Sequence, residues 1–201
     1  MLHHLLRAAA RVLALASLLA LTGCATHYLD GAVKDVAPGE FKSRVQARPV
    51  QVIVEFQTNG VTNARATEHV KPMVMENLKS SGLFTDIQDK PVEGGALLSV
   101  QINNVALLDE ALKKGFMTGL TLGLAGSLVT DAYVCTVTYS SPSSAGPIVK
   151  MSKHAIHTSM GASDAPPGGV KQSSVGDAVK TMVRQIVDHA LREVSRDSAF
   201  Q

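Results

Sequence analysis

The alternation of apolar and polar residues beginning at Val50 is the clearest structural signal in the chain. Val50, Val52, Val54 and Phe56 interleave with Gln51, Ile53, Glu55 and Gln57, the period of a half-buried strand, and Asn59-Gly60 supplies a turn after it. Residues 63–81 then place Ala66, Val70, Met73, Val74 and Leu78 on one side of a helix, with Gly82 at its C′ position. Pro72 removes a backbone bond from this helix, and is expected to kink it or to move its start later. A short segment at 84–88, a turn at Glu93-Gly94-Gly95 and a second alternating strand follow. In that strand Leu98, Val100 and Ile102 face one way, and Ser99, Gln101 and Asn103 face water or a partner. The β-rich stretch 132–139 and the segment 148–159, joined by a Ser/Pro/Gly turn at 140–146, predict a hairpin with a long loop.

After a Pro/Gly-rich loop at 161–169, the strongest helical pattern begins. Ser174 and Asp177 start a capping-box-like signature, and Val175, Val179, Met182, Val183, Ile186, Val187, Ala190, Leu191 and Val194 fall on one face. The order β-α-β-β-β-β-α predicts an α+β fold, two amphipathic helices packed on one face of a mostly antiparallel sheet in a two-layer sandwich. This domain spans 49–197. Residues 24–48, with Gly31, Pro38 and Gly39 and no sustained period, read as a tether.

The N-terminus changes the picture from a fold to an address. Arg7 and Arg11 precede an apolar core of ten residues, Val12 to Leu21, which is too short for a bilayer span of about 20 residues but suits a secretory signal. It closes on Leu21-Thr22-Gly23-Cys24, which resembles the lipobox of bacterial lipoprotein precursors. The resemblance implies a signal peptide over 1–23, cleavage after Gly23, and a lipidated, N-acylated Cys24 as the first mature residue. In the sorting pattern of such proteins Ala25 favours the outer membrane, with the domain facing the periplasm. Three acyl chains anchor far more firmly than one, because each buried CH₂ contributes about 0.8 kcal/mol.

Charge and cysteine usage remove other classes. The leader holds two of the 19 basic residues and none of the 17 acidic ones, so the 178 residues after it are formally neutral. With no Trp and few other aromatic residues, that balance excludes nucleic-acid binding, which needs a basic footprint. Lipidation of Cys24 leaves Cys135 without a partner for a disulfide, and its strand-like neighbours make it a buried core residue.

The second informative segment is 115–129, fifteen uncharged residues after Lys113-Lys114. It is too short to span a bilayer as a helix. Phe116, Met117, Leu120, Leu122, Leu124 and Leu128 are its candidate contacts to a membrane or a partner, and Gly115, Gly119 and Gly123 have the small-xxx-small spacing of self-association. The alternative is a glycine-rich connection folded over the open face of the sheet. Thr121-Leu122-Gly123-Leu124, before a Tyr-bearing strand, resembles the T-L-G-L-I-P stretch of poorly characterised proteobacterial outer-membrane lipoproteins, with Ala125 and Gly126 in place of Ile and Pro. The element order also resembles small envelope domains of transport-auxiliary lipoproteins and of the Tol-system propeller protein, a topological likeness that carries no function.

No constellation for catalysis stands out. His154 and His157, three apart on a strand, point to opposite faces and do not share a metal. His69 and His189 are lone helix histidines, and the acid pairs Asp109/Glu110 and Asp86/Asp89 read as solvated charge. A hydrolase would need His154 or His157 beside an acid or a Ser in the fold. No cofactor or metal is expected. The sequence predicts a non-catalytic, membrane-anchored binding or assembly accessory of the cell envelope with a protein partner, or alternatively a lipid-handling module that holds an acyl chain through the insert and the sheet face.

Overall fold

The computed structural model describes residues 25–42, 47–107, 128–160 and 165–200. Eight strands form one sheet: β1 (Ala25–Asp30), β2 (Arg48–Thr58), β3 (Val61–Thr62), β4 (Phe84–Gln88), β5 (Ala96–Val105), β6 (Leu128–Ser140), β7 (Ile148–Met160) and β8 (Gly169–Lys171). Their spatial order is β3-β2-β5-β6-β7-β1-β8, with β4 beside β2. Two helices, α1 (Ala64–Ser81) and α2 (Val175–Arg196), cover one face. The fold is the predicted α+β class, an open and mostly antiparallel sheet. The exceptions are β2 with β5 and β2 with β4, which run parallel because the chain returns through α1.

The helix-facing side follows from the alternation. Val50, Val52, Val54, Leu98, Val100, Ile102, Cys135, Val137 and Tyr139 meet Val70, Val74 and Leu78 of α1 and the apolar stripe of α2, and all are buried. Tyr139 and Phe200 stack edge-on at 4.9 Å between ring centres and close the far end of this core with Phe84.

Both helices are capped as their sequences suggest. The Asn63 side chain accepts from the Ala66 amide at 3.0 Å, and Gly82 ends α1 in the left-handed region at φ 65°. Pro72 lies within α1 without moving its start, which is at Ala64. Its side chain is on the exposed side, where water can serve the carbonyl it leaves unpaired. The Ser174 hydroxyl accepts from the Asp177 amide at 3.1 Å. The buried stripe of α2 starts at Ala178 instead of Val175, which is 55% exposed.

The segment expected as a tether is largely part of the domain. Residues 25–30 form β1, held between β7 and β8, and residues 31–42 run along α2 as a strap. Asp35 pairs with Arg184 at 2.8 Å and accepts from Gln185 at 2.8 Å, and the Lys34 carbonyl hydrogen-bonds His189 Nε2 at 2.8 Å. Glu40 pairs with Arg192 at 3.3 Å, and the Lys42 amide donates to Ser195 Oγ at 3.0 Å. The contacted helix positions 185, 189, 192 and 195/196 recur every three or four residues and so form one stripe. Val36 and Phe41 of the strap enter the core. Composition hides this because the holding contacts are made to residues some 150 positions away.

Candidate functional site: the open face of the sheet

The face of the sheet turned away from the helices holds the polar half of each alternating strand, as Ser99, Gln101 and Asn103 predict. Register places Ile53 opposite Ser99, Ser99 opposite Thr138, and Thr138 opposite Val149, so these four side chains form one row across β2, β5, β6 and β7. The next row is Glu55, Gln101, Thr136 and Met151. Ile53, Val149 and Met151 are 47%, 52% and 65% exposed, and Leu97 on the same face is also exposed. Thr136 and Thr138 lie between the apolar groups, so this half of the face is amphipathic. Gln101 Nε2 donates to Glu55 Oε1 at 3.3 Å and fixes the carboxylate in the middle of it.

Further along the same face the residues become small and buried. Ala132 and Ala155 are fully buried, with Val105, Leu107 and Val134 against them. His157 is buried here as well; its Nδ1 is 2.8 Å from Thr130 Oγ1, and among the described residues Nε2 has no hydrogen-bond partner. Burial holds its pKa below the ordinary histidine value, against the pull of Asp30.

His154 points to the other side, toward α2, so the two histidines are on opposite faces as their spacing requires. Its Nε2–H donates to Gln185 Oε1 at 2.6 Å and its Nδ1 accepts from the Ala155 amide at 2.8 Å. Gln185 in turn donates to Asp35, which Arg184 neutralises. Both ring nitrogens are therefore engaged, which fixes the neutral tautomer. Burial lowers the pKa of His154, and the Gln185 bond and Asp30 oppose that shift. On the exposed ends of this chain, the Arg184 hydrogen bond keeps the Asp35 carboxyl below the usual range. Asp188, one turn along α2, is pushed up to about 6 by burial, with Arg184 opposing.

A cavity of about 440 Å³ opens at the β1–β8 edge beside this chain, lined among others by Leu29, Asp30, Asp35, Val170, Thr181 and Gln185. That volume is within the range of small-ligand pockets, about 300–1,000 Å³. No sequence signal marks it, because the cavity joins β1 and the strap to β8 and α2, about 140–150 residues further along the chain.

The remaining sequence-predicted residues divide in two. Cys135 is buried on the helix face with its thiol pushed up to about 12 by burial, an inert core position. His69 is exposed, His189 is half-buried on the strap, Asp86 is exposed, and Asp89 pairs with Lys71 at 3.0 Å. Gly23, Cys24, Asp109, Glu110, Gly115, Phe116, Met117, Gly119, Leu120, Leu122, Gly123 and Leu124 lie outside the described residues, and of Leu128 only the backbone, the first residue of β6, is described. Among the described residues no three His, Cys, Asp or Glu side chains gather as metal ligands, and no helix is long and apolar enough to cross a membrane.

Fold and surface together define a class: a two-layer α+β domain with one face packed and one open. No protein-family model and no curated protein sequence matches the chain. Among solved structures it is similar to a PelC dodecamer from Paraburkholderia phytofirmans, at 12% identity over 87% of this chain and 100% of that one, with a TM-score of 0.37. It is also similar to the rare lipoprotein B from Shewanella oneidensis, at 12% identity over 75% of this chain and 94% of that one, with a TM-score of 0.34. Likenesses at that level carry no argument about function.

Proposed function

We propose that this protein is a lipid-anchored, outer-membrane accessory of the bacterial cell envelope that works by binding and not by catalysis, with the open sheet face as its protein-docking surface. The observation that carries the reading is the pair of cross-strand rows on that face, which leave Ile53, Val149 and Met151 in solvent among threonines and a fixed carboxylate. Alternating apolar and hydrogen-bonding groups on a rigid sheet suit a protein partner better than a uniform lipid phase. The anchor rests on the Leu21–Cys24 lipobox. It confines the domain to the membrane surface and raises its effective concentration for a neighbour there.

The engaged nitrogens of His154 and the suppressed thiol of Cys135 support a non-catalytic role, since neither offers a free base or nucleophile. The alternative, a lipid-handling module, draws support from the cavity at the β1–β8 edge and its apolar walls Leu29, Val33 and Val170.

A photoreactive residue placed at Met151 in living cells separates the two. The docking reading predicts a discrete protein adduct from Met151 and none from Val61, which is 70% exposed in the β2–β3 hairpin. Lipid adducts at Val33 with no protein adduct at Met151 would favour the alternative.

A further inference from the structure

We infer that the domain stands end-on at the membrane, resting on the edge formed by the start of β1, the end of β7 and the start of α2, with a lipid bilayer as the occupant of that edge. The inference rests on the reading of Cys24 as the lipidated residue.

A flexible linker after the lipidated cysteine would let the domain roam. Here the ladder begins at once: Ala25, the next residue, pairs with Met160, and Thr26 pairs with Ser159. Consecutive Cα atoms are about 3.8 Å apart, so the first rung lies one residue from the acylated position. β1 is paired on both sides, by β7 along its length and by β8 at Tyr28–Asp30, and the strap then ties the following residues to α2. The domain cannot swing away from the lipid without stripping β1 from the sheet.

The same edge carries apolar groups that the core does not use. Met160, paired with Ala25, is 59% exposed, and Val129, opposite Thr158 on β6, is 49% exposed. Val175, the residue that breaks the buried stripe of α2, joins them. The Gln172 amide donates to the His27 carbonyl at 2.9 Å, so the chain from β8 runs toward the start of β1 and delivers Val175 there. On the folded domain alone these three exposures have no purpose, whereas at a membrane surface each buries apolar area. The open face, with Met151 nine residues back along β7, then stands about 30 Å above the bilayer, at about 3.3 Å per residue, free for a partner.

The chain has no Trp, which makes a single introduced one a clean depth reporter. The full chain, made with its leader in a Gram-negative host, is reconstituted into phosphatidylethanolamine/phosphatidylglycerol vesicles with brominated acyl chains. The variants are Met160→Trp, Val175→Trp and Met151→Trp, all at exposed positions that accommodate the ring. The expected result is strong bromine quenching of the Met160 and Val175 variants and none of the Met151 variant. Quenching of the Met151 variant, or of none of the three, overturns the end-on arrangement when intact mass shows three acyl chains on Cys24. A mass without acyl chains overturns the anchor reading itself, and the arrangement with it.

Discussion

The two faces of this sheet are made from the same strands and yet obey different rules. On the helix side the alternating positions at the centre of the sheet are buried: Leu98, Val100, Ile102, Cys135, Val137 and Tyr139 have no measurable exposure. One residue over on β5, and opposite β6 on β7, Leu97, Val149 and Met151 remain in solvent among Ser99, Thr136 and Thr138. A single-residue step along a strand therefore separates side chains that hold the fold from side chains available for recognition. Apolar groups that do nothing for the core, yet recur in register, are the informative ones.

The sharpest way to break that comparison is to truncate one residue on each side. Ile102→Ala leaves a cavity in the packed layer and is expected to cost about 2–5 kcal/mol, whereas Met151→Ala on the open face is expected to stay within about 0.5 kcal/mol of the parent. Urea unfolding of the 25–201 fragment measures both, and equal losses would erase the distinction.

The next effect belongs to the α2 polar cluster. Burial raises Asp188 from 3.8 to about 6, so its charged form weakens the fold above that pH, and the penalty shrinks as pH falls below about 6 and is gone below about 3.8. One pKa unit corresponds to about 1.4 kcal/mol, so Asp188→Asn is expected to stabilise the protein at pH 7 by up to about 3 kcal/mol. His154 and His157 act with the opposite sign. Burial lowers their pKa values, so the unfolded chain takes up their protons first and stability falls as pH drops below about 6.5. In the parent the two trends oppose each other below about pH 6; in the Asp188→Asn variant the decline there is expected to be steeper. Thermal unfolding across a pH series checks the contrast.

Gln185→Leu strands the His154 Nε2–H and removes the link to Asp35, with an expected loss of about 1–3 kcal/mol. An unchanged melting temperature would mean that water replaces the link. A smaller loss is expected of Ser174→Ala, which removes the α2 cap and costs about 1 kcal/mol by the same measurement.

The helix face was legible in the sequence and the edges were not. Strands β2 and β5 and both helices declare themselves through period, cap and Gly82, because those signals act over a few residues. β1 carries no such signal: Tyr28, Leu29 and Asp30 are buried in succession, so no alternation marks them, and their partners on β7 are about 130 residues away. The strap along α2 is held by ion pairs and carbonyl contacts that composition reads as solvated charge. Spacing alone put His154 and His157 on opposite faces, but the Gln185–Asp35 chain that engages His154 joins three separate elements. The parallel pairing of β2 with β5 is likewise a property of the crossover through α1 and not of either strand.

The most direct test of the account combines stability and contact at one place. The double variant Val149→Asp/Met151→Asp, produced as the full lipidated chain with a photoreactive residue at Ile53, is compared with its parent for thermal unfolding and for cross-linking in cells. The account predicts an unchanged melting temperature together with loss of the protein adduct that the parent gives. A large drop in melting temperature, or an adduct that persists at full yield, would contradict the claim that this face is reserved for binding.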